Sequence, residues 1–268
     1  MDLGLQNKVV AIVGGTSGMG YAAAQVLAAE GVTLALLCRD VTRGEAKAQA
    51  LRQGSDAKVE VFAADATSDG AVAHALQNVA ERFGGLDGLA VTAGPMQKMA
   101  PLVELDDADW HAYFESQLMT TVRACRAALP LLAARGGGSI VTTSAYSIRH
   151  QSAVLAPYSA MKQAVAGVAK NIARHWGGKN IRCNCIAPGA IASEALDGAR
   201  ALAKAKYGDS LPADEALDRF MIEEWHLDVA LGRVGRPREV GELIAFLLSE
   251  RAAYMTGALI NIDGGTDF

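Results

Sequence analysis

Short apolar runs alternate along the chain with segments that have helical periodicity. The runs are rich in β-branched residues, and continuous apolar strands of this kind are typical of a sheet that is covered on both faces. They lie at 8–13, 33–38, 59–63, 86–91, 139–143 and 180–187. Because strands that alternate with helices build a parallel sheet, the pattern predicts an α/β fold of the doubly wound, Rossmann type with helices on both faces.

One long segment, 110–132, predicts a single amphipathic helix. Its apolar residues recur at the 3.6-residue spacing of one buried face, at Phe114, Leu118, Val122, Cys125, Leu129 and Leu132. Two later segments, 195–207 and 214–227, also have helical patterns, and we expect them to form a lid at about 193–230. The apolar side chains expected to line the cleft beneath this lid are Phe220, Met221, Trp225, Met96 and Met99.

The composition indicates one packed domain over 1–268. Of the 268 residues, 51% are hydrophobic, and the formal net charge of −4 gives no electrostatic footprint for nucleic acid. No apolar run reaches the length of a membrane span and the N-terminus lacks a secretory signal, so we expect a cytoplasmic protein without a membrane partner. The four cysteines are too scattered for a disulfide scaffold or a metal site, and we expect Cys183 and Cys185 to be buried thiols.

A glycine-rich turn joins the first predicted strand to the first helix. Gly14 permits a tight turn, Gly18 lets the backbone approach a ligand closely, and Gly20 allows close packing of helix on strand. The first turn of the helix then offers unpaired N–H groups and the positive end of the helix dipole. Strand, glycine turn and helix in this order predict a dinucleotide site, with the phosphates at the helix N-terminus.

Tyr158 and Lys162 are the candidate catalytic pair. They are four residues apart at the start of an alanine-rich helical segment, so both side chains lie on the same helix face. A tyrosine titrates near ~10 in water. Because a neighbouring ammonium favours the phenolate, we expect the pKa of Tyr158 to fall toward the range that suits proton transfer.

These motifs resemble those of the short-chain dehydrogenase/reductase family. The resemblance extends over 8–265 and rests mainly on three motifs: Gly14-x-x-x-Gly18-x-Gly20, Tyr158-x-x-x-Lys162 and the Pro188-Gly189 turn. It implies a sheet of about seven strands, a homo-oligomer (dimer or tetramer), and hydride transfer between a nicotinamide and a carbonyl or alcohol carbon of a small molecule. Tyr158 would then donate the proton, while Lys162 would lower its pKa and hold the nicotinamide ribose.

Two catalytic positions depart from the family pattern. The family's serine stands thirteen residues before the tyrosine, where this chain has Ala145. Ser144 is one residue further from Tyr158, and we expect it to orient the carbonyl if the intervening loop carries one extra residue; Ser147 is the alternative. The family's catalytic asparagine corresponds to Gln117, whose longer side chain is expected to displace the proton relay.

The resemblance also assigns a cofactor site. Arg39, at the end of the second strand, would pair with the 2′-phosphate of NADP, whereas Asp40 would accept from the 2′-hydroxyl of NAD; we favour NADP, with NAD as the alternative. Asp65 would bind the adenine amino group, and the backbone of Ile191 the nicotinamide carboxamide. The expected cofactor contacts are Gly14, Thr16, Ser17, Gly18, Met19, Gly20, Arg39, Asp65, Ala66, Ala93, Gly94, Tyr158, Lys162, Pro188, Gly189 and Ile191.

The substrate expected from the lid is a bulky apolar ketone or secondary alcohol, such as a steroid, a terpenoid or an aromatic ketone. A 3-oxoacyl-thioester (acyl carrier) reductase is the main alternative. Two further alternatives are a weakly catalytic nucleotide-binding regulator on the same fold and an enoyl reductase. The enoyl reductase is disfavoured because such enzymes typically space their tyrosine and lysine more widely than Tyr158 and Lys162.

Overall fold

The computed structural model of the protein describes residues 2–266. Its centre is one parallel sheet whose seven strands are ordered β3-β2-β1-β4-β5-β6-β7. The strands are β1 (Val9–Val13), β2 (Thr33–Cys38), β3 (Val59–Ala63), β4 (Gly88–Val91), β5 (Gly138–Thr143), β6 (Ile181–Pro188) and β7 (Leu259–Ile262). The predicted doubly wound fold is therefore confirmed, and the strand order reverses direction between β1 and β4.

Helices cover both faces of the sheet. They are α1 (Gly18–Ala29), α2 (Val41–Gly54), α3 (Ala71–Phe83), α4 (Asp107–Tyr113), α5 (Thr120–Ala134), α6 (Ala156–Trp176), α7 (Asp197–Tyr207), α8 (Ala213–Glu223) and α9 (Pro237–Leu248). One core, with Leu76 and Leu132, packs α3, α5 and α6 on one face, and the other, with Leu27, packs α1, α2 and α9 on the opposite face. Cys183 and Cys185 are buried free thiols in the first core, as expected.

Within residues 2–266, none of the helices is long and apolar enough to cross a lipid bilayer.

The segment predicted as one helix over 110–132 is instead three elements. After α4, a π-helical turn occupies Phe114–Met119, and α5 begins at Thr120. A π-turn holds one more residue than an α-turn, so the residues before it are rotated relative to those after it. Phe114, expected in the core, is consequently exposed, whereas the polar Gln117 is fully buried. The spacing of apolar residues therefore predicts the buried helix face correctly only in α5, after the π-turn.

The segment expected to form a lid contains α7 and α8, which have a small core of their own. Helices α7 and α8 pack against each other, and Phe220 and Met221 are buried among lid residues such as Ala203 and Leu217. The expectation that Phe220 and Met221 line the substrate cleft is therefore wrong, because a two-helix lid must first cover its own apolar faces. Trp225 is 52% exposed and rests edge-on against Phe220, with ring centroids 6.0 Å apart.

Close packing of α1 on the sheet depends on Gly20. A Cβ atom at this residue would overlap the Gly14 carbonyl oxygen and the Thr92 hydroxyl. The Thr92 hydroxyl itself donates to the Val13 carbonyl oxygen at 3.1 Å, so it is held in place. Because two of the three neighbouring atoms belong to backbone, the helix can accommodate a side chain only by moving away from β1 and β4.

We predict that Gly20→Ala lowers the free energy of unfolding by about 1–3 kcal/mol, because the added methyl forces the glycine turn apart. Chemical denaturation monitored by circular dichroism measures this change. Gly54→Ala is the matched control, since Gly54 ends α2 with no atom within 4 Å of an added Cβ. The control should be as stable as the parent or slightly more stable; equal stability of the two variants would contradict the packing argument.

Candidate active site and cofactor site

The candidate site lies where the carboxyl ends of the central strands meet. In an open parallel sheet, ligands bind in the crevice at the point where the strand order reverses. Here that point is between β1 and β4. The glycine turn follows β1, Ala93 and Gly94 follow β4, Ser144 follows β5, and the Pro188-Gly189 turn ends β6. The fold therefore gathers the predicted residues at one edge of the sheet.

The glycine turn has the backbone that the sequence predicts. Gly14 and Gly18 have φ angles of 88° and 49°, in the left-handed region. Gly14 also lies against the Ala93 backbone, since an added Cβ would be 2.8 Å from the Ala93 nitrogen. Ser17 precedes α1 without capping it through its side chain, so backbone N–H groups at the start of α1 face outward.

The turn fits the phosphates of a dinucleotide, because a carboxylate already lies at this helix N-terminus. The backbone N–H of Gly18 donates to Oε2 of Glu194 at 2.8 Å. A carboxylate and a phosphate present similar anionic oxygen atoms to such N–H groups. The same turn and the start of α1 contain the other residues predicted from the motif, which are Thr16, Ser17, Met19 and Gly20.

The end of β2 favours a basic rather than an acidic contact to the adenosine ribose. The Asp40 carboxylate caps α2 by accepting from the Arg43 N–H at 2.9 Å, so the predicted rival acceptor is engaged. Arg39 is exposed. Hydrogen bonds from Thr67 lower the pKa of Asp65, and the Arg39 guanidinium lowers it further, so Arg39 and Asp65 lie on the same side of the site.

Lys162 and Tyr158 are adjacent on α6, as their spacing predicts. Lys162 is buried, and its Nζ atom donates to the Thr143 carbonyl oxygen at 2.9 Å and lies 5.6 Å from the centroid of the Tyr158 ring. Burial lowers the pKa of Lys162 to about 8. Tyr113 packs edge-on against Tyr158, with ring centroids 6.2 Å apart.

The pKa of Tyr158 is raised rather than lowered, contrary to the expectation from sequence. Burial is the main cause, and the phenols of Tyr146 and Tyr113 add to it. The Lys162 ammonium bonds a backbone carbonyl, and its charge does not offset the loss of hydration. A raised pKa keeps the phenol protonated at neutral pH, but it also makes the phenol a weaker proton donor, so the shift does not by itself favour transfer.

The two candidate serines differ in what their hydroxyl groups do. Ser144 is buried, and its hydroxyl donates to the Lys162 carbonyl oxygen at 2.8 Å, so its proton is committed to the backbone. Ser147 lies in the 3-10 turn Tyr146–Ile148, and its buried hydroxyl has no hydrogen-bond partner within residues 2–266. Both serines stay candidates, and we favour the alternative, Ser147, because its hydroxyl proton is not engaged.

Gln117 holds the loop after β4 instead of pointing freely into the site. Its Nε2 atom donates to the Pro95 carbonyl oxygen at 2.6 Å. Its Oε1 atom lies where an added Cβ at Gly94 would be 2.5 Å away, and in the described part of the chain it has no partner. The longer side chain therefore packs against the Gly94 backbone, which only a glycine permits.

The turn after β6 completes the site and brings in two residues that sequence reasoning missed. Ile191 is buried and pairs with Gly235, which fixes the backbone after Gly189. Ser193 and Glu194 then reach the glycine turn; an added Cβ at Gly18 would be 3.4 Å from the Ser193 Cβ. No sequence signal links Glu194 to Gly18, because the two are 176 residues apart.

Comparisons with known proteins agree with the fold. A family model described as enoyl-(acyl carrier protein) reductase matches residues 13–267. Cis-4-hydroxycyclohexanecarboxylate dehydrogenase of Sinomonas cyclohexanicum is 33% identical, over 96% of this chain and 96% of its own. 3-Oxoacyl-(acyl-carrier-protein) reductase of Chlamydia trachomatis is 28% identical, over 97% of this chain and 98% of its own. L-sorbose reductase of Gluconobacter frateurii, crystallised with NADPH and L-sorbose, is 31% identical and superimposes with a TM-score of 0.89, covering 99% and 98% of the two chains.

The chain belongs to the short-chain dehydrogenase/reductase family. It is an NAD(P)-dependent oxidoreductase that acts on a carbonyl or alcohol carbon. The three relatives are named for ketone or alcohol chemistry, whereas the family model carries the name of an enoyl reductase.

We predict opposite consequences for the two serines. Ser147→Ala removes a hydroxyl free to donate to a substrate oxygen, so turnover should fall by about 10²–10³ with stability unchanged. Ser144→Ala breaks a buried hydrogen bond, so it should lose about 1 kcal/mol of stability and less of its turnover. Steady-state kinetics and thermal unfolding of both variants measure these effects.

Ser159→Ala is the matched control for Ser147→Ala. Ser159 is also buried with an unpaired hydroxyl, and it follows Tyr158 on α6. Consecutive helix residues point about 100° apart, so its hydroxyl faces away from the phenol. Near-parental turnover is expected for Ser159→Ala; a larger loss of turnover in Ser144→Ala than in Ser147→Ala would return the role to Ser144.

Proposed function

We propose that the protein is an NADP(H)-dependent ketone reductase and secondary-alcohol dehydrogenase for bulky, largely apolar ring substrates. The observation that carries this proposal is the half-buried Tyr158 next to the buried Lys162, beside the turn that holds Ser147. In the reduction, the hydroxyl of Ser147 donates to the substrate carbonyl oxygen, and Tyr158 gives its proton to the forming alkoxide. The proposal includes a homo-oligomer, dimer or tetramer.

The nicotinamide supplies the hydride when it is bound. The chain's own residues would bind and orient it: the N–H groups after Gly14 would hold the phosphates, and the backbone of Ile191 would hold the carboxamide. Lys162 carries a proton on Nζ below about pH 8 and holds its charge close to the ring of Tyr158. Developing negative charge on the phenol is therefore met by an ammonium group in a water-poor environment.

Two observations support NADP over NAD. Arg39 is exposed at the end of β2, where a guanidinium can form charge-assisted hydrogen bonds with a 2′-phosphate. Asp40, the acceptor that a 2′-hydroxyl would need, has one of its two carboxylate oxygens engaged in capping α2. The sorbose reductase, which resembles this chain over nearly its whole length, was crystallised with NADPH.

The surroundings of Tyr158 support a ring-shaped apolar substrate. Tyr146, whose proximity helps to raise the pKa of Tyr158, stacks on His150 with ring centroids 6.1 Å apart. Trp225 of the expected lid is 52% exposed and Met99, after β4, is 60% exposed, so both side chains are accessible to an apolar ligand. The dehydrogenase from Sinomonas cyclohexanicum, named for a cyclohexane ring substrate, is in line with this choice.

A 3-oxoacyl-thioester reductase is the second candidate, supported by the relative from Chlamydia trachomatis. An enoyl reductase is a third candidate, in line with the name of the matching family model. A weakly catalytic nucleotide-binding regulator would show little or no turnover with any of these substrates. The preferred substrate, together with the effect of Tyr158→Phe on turnover, distinguishes these candidate functions.

The test compares kcat/KM for NADPH-dependent reduction of a bicyclic ketone, acetoacetyl thioester and an enoyl thioester. The ketone should be preferred, and Tyr158→Phe should lower turnover by about 10²–10⁴ while NADPH still binds. Trp225→Ala should lower kcat/KM for the ketone roughly ten-fold, whereas Tyr254→Ala, a change at a fully exposed aromatic residue, should not. A preference for either thioester, or near-parental turnover of Tyr158→Phe, would contradict the proposal.

A further inference from the structure

The carboxylate of Glu194 bridges two elements of the cofactor site. Its Oε2 atom accepts from the Gly18 N–H at 2.8 Å, and its Oε1 atom is 3.6 Å from Nη2 of Arg43. Gly18 is the first residue of α1, and Arg43 lies in the first turn of α2. One side chain thus joins the phosphate-binding helix to the segment beside the adenosine ribose.

Glu194 lies at the N-terminus of α1, where we expect a cofactor phosphate to bind. The N–H groups at the start of α1 attract anions because they lack partners within the helix and lie at the positive end of its dipole. A carboxylate and a cofactor phosphate cannot both accept from the Gly18 N–H, and like charges at that distance repel each other. Glu194 must therefore leave Gly18 before a dinucleotide can bind.

The contact is weak enough to exchange. Both the Glu194 and the Arg43 side chain are 51% exposed, and exposed ion pairs contribute little to stability because water and salt screen them. Glu194 begins the short 3-10 turn Glu194–Leu196, which leads directly into α7 of the lid. Its movement consequently involves the first turn of the lid rather than the core of the domain.

Arg43 loses its partner when Glu194 leaves. Its guanidinium then lies on the first turn of α2, four residues after Arg39 and on the side that faces the glycine turn. A guanidinium in this place can form charge-assisted hydrogen bonds with the 2′-phosphate of NADP. The 2′-hydroxyl of NAD has no charge and offers no such partner.

We propose that Glu194 is an internal competitor for the cofactor phosphates, and that its displacement transfers Arg43 to the cofactor, where Arg43 adds to the preference for NADPH over NADH. This inference rests on the proposed NADP(H) site. It assigns a role to two residues that the catalytic motifs do not include. It also couples cofactor binding to the start of the lid through Glu194.

The first test measures cofactor affinity in the absence of substrate. Glu194→Gln keeps the size of the side chain and removes its charge, so the Kd of both NADPH and NADH should fall by about three- to ten-fold. Quenching of tryptophan fluorescence or calorimetry measures both constants. Glu215→Gln is the matched control, because Glu215 is an exposed carboxylate on α8 of the same lid, and its Kd values should equal those of the parent.

The second test isolates Arg43 in the Glu194→Gln background, where no competitor remains. There, Arg43→Ala should weaken NADPH by about ten-fold and leave NADH within two-fold of its value. Amide hydrogen exchange supplies an independent readout. Without cofactor, the Gly18 N–H should exchange faster in Glu194→Gln than in the parent.

Three results would overturn the inference. Glu194→Gln with an unchanged or higher Kd for NADPH would show that Glu194 does not compete, and equal loss of both dinucleotides in the Arg43 variant would remove its part in specificity. Both results leave the proposed function intact, provided that the parent binds NADPH. A parent that binds neither dinucleotide would overturn the proposed function and this inference with it.

Discussion

The site depends on one constraint, the burial of the Lys162 ammonium group at the junction of β5 and α6. Burial of a charge is costly unless hydrogen bonds compensate for it, and the cost is visible in a pKa lowered to about 8. The Thr143 carbonyl at the end of β5 supplies the compensating acceptor. The next residue, Ser144, donates in return to the backbone carbonyl of Lys162, so two bonds fix the helix to the strand.

This junction sets the geometry of the other catalytic groups. Because α6 is fixed at Lys162, Tyr158 is placed one turn earlier on the same face, against the ring of Tyr113. The turn that carries Ser147 follows β5 directly, and its neighbour Tyr146 lies close enough to Tyr158 to raise the pKa of the phenol. Ser144 thus holds the backbone of Lys162 through its hydroxyl, whereas the Ser147 hydroxyl has no partner among residues 2–266.

Most of the fold could be predicted from sequence because it follows local rules. Buried parallel strands are apolar throughout, and the glycine turn between β1 and α1 has a fixed spacing, so each was visible in a short stretch of chain. The same locality explains why Tyr158 and Lys162 were recognised as a pair. What could not be predicted are features that depend on packing between distant segments. The π-turn at Phe114–Met119 leaves Phe114 exposed and Gln117 buried, and no spacing rule indicates it.

The expectations about the site that the structure does not support all depend on burial in the folded chain, which residue spacing does not reveal. Spacing indicated that Lys162 would lower the pKa of Tyr158, but it could not show that burial outweighs the nearby charge. It indicated an apolar lid, but not that Phe220 and Met221 would be used to hold α7 and α8 together. The contact between Glu194 and Gly18 depends on the folded lid, so only the structure reveals it.

In the proposed reaction, the half-buried Tyr158 beside the buried Lys162 delivers a proton while a hydride reaches a carbonyl carbon. The most direct test uses NADPH deuterated at C4 of the nicotinamide, on each face in turn, with a bicyclic α,β-unsaturated ketone as substrate. We predict one deuterium atom on the carbinol carbon of the product, from only one of the two labelled cofactors, and a hydroxyl proton that comes from solvent. Deuterium on a carbon β to an intact carbonyl, or no transfer of label from either cofactor, would contradict the account.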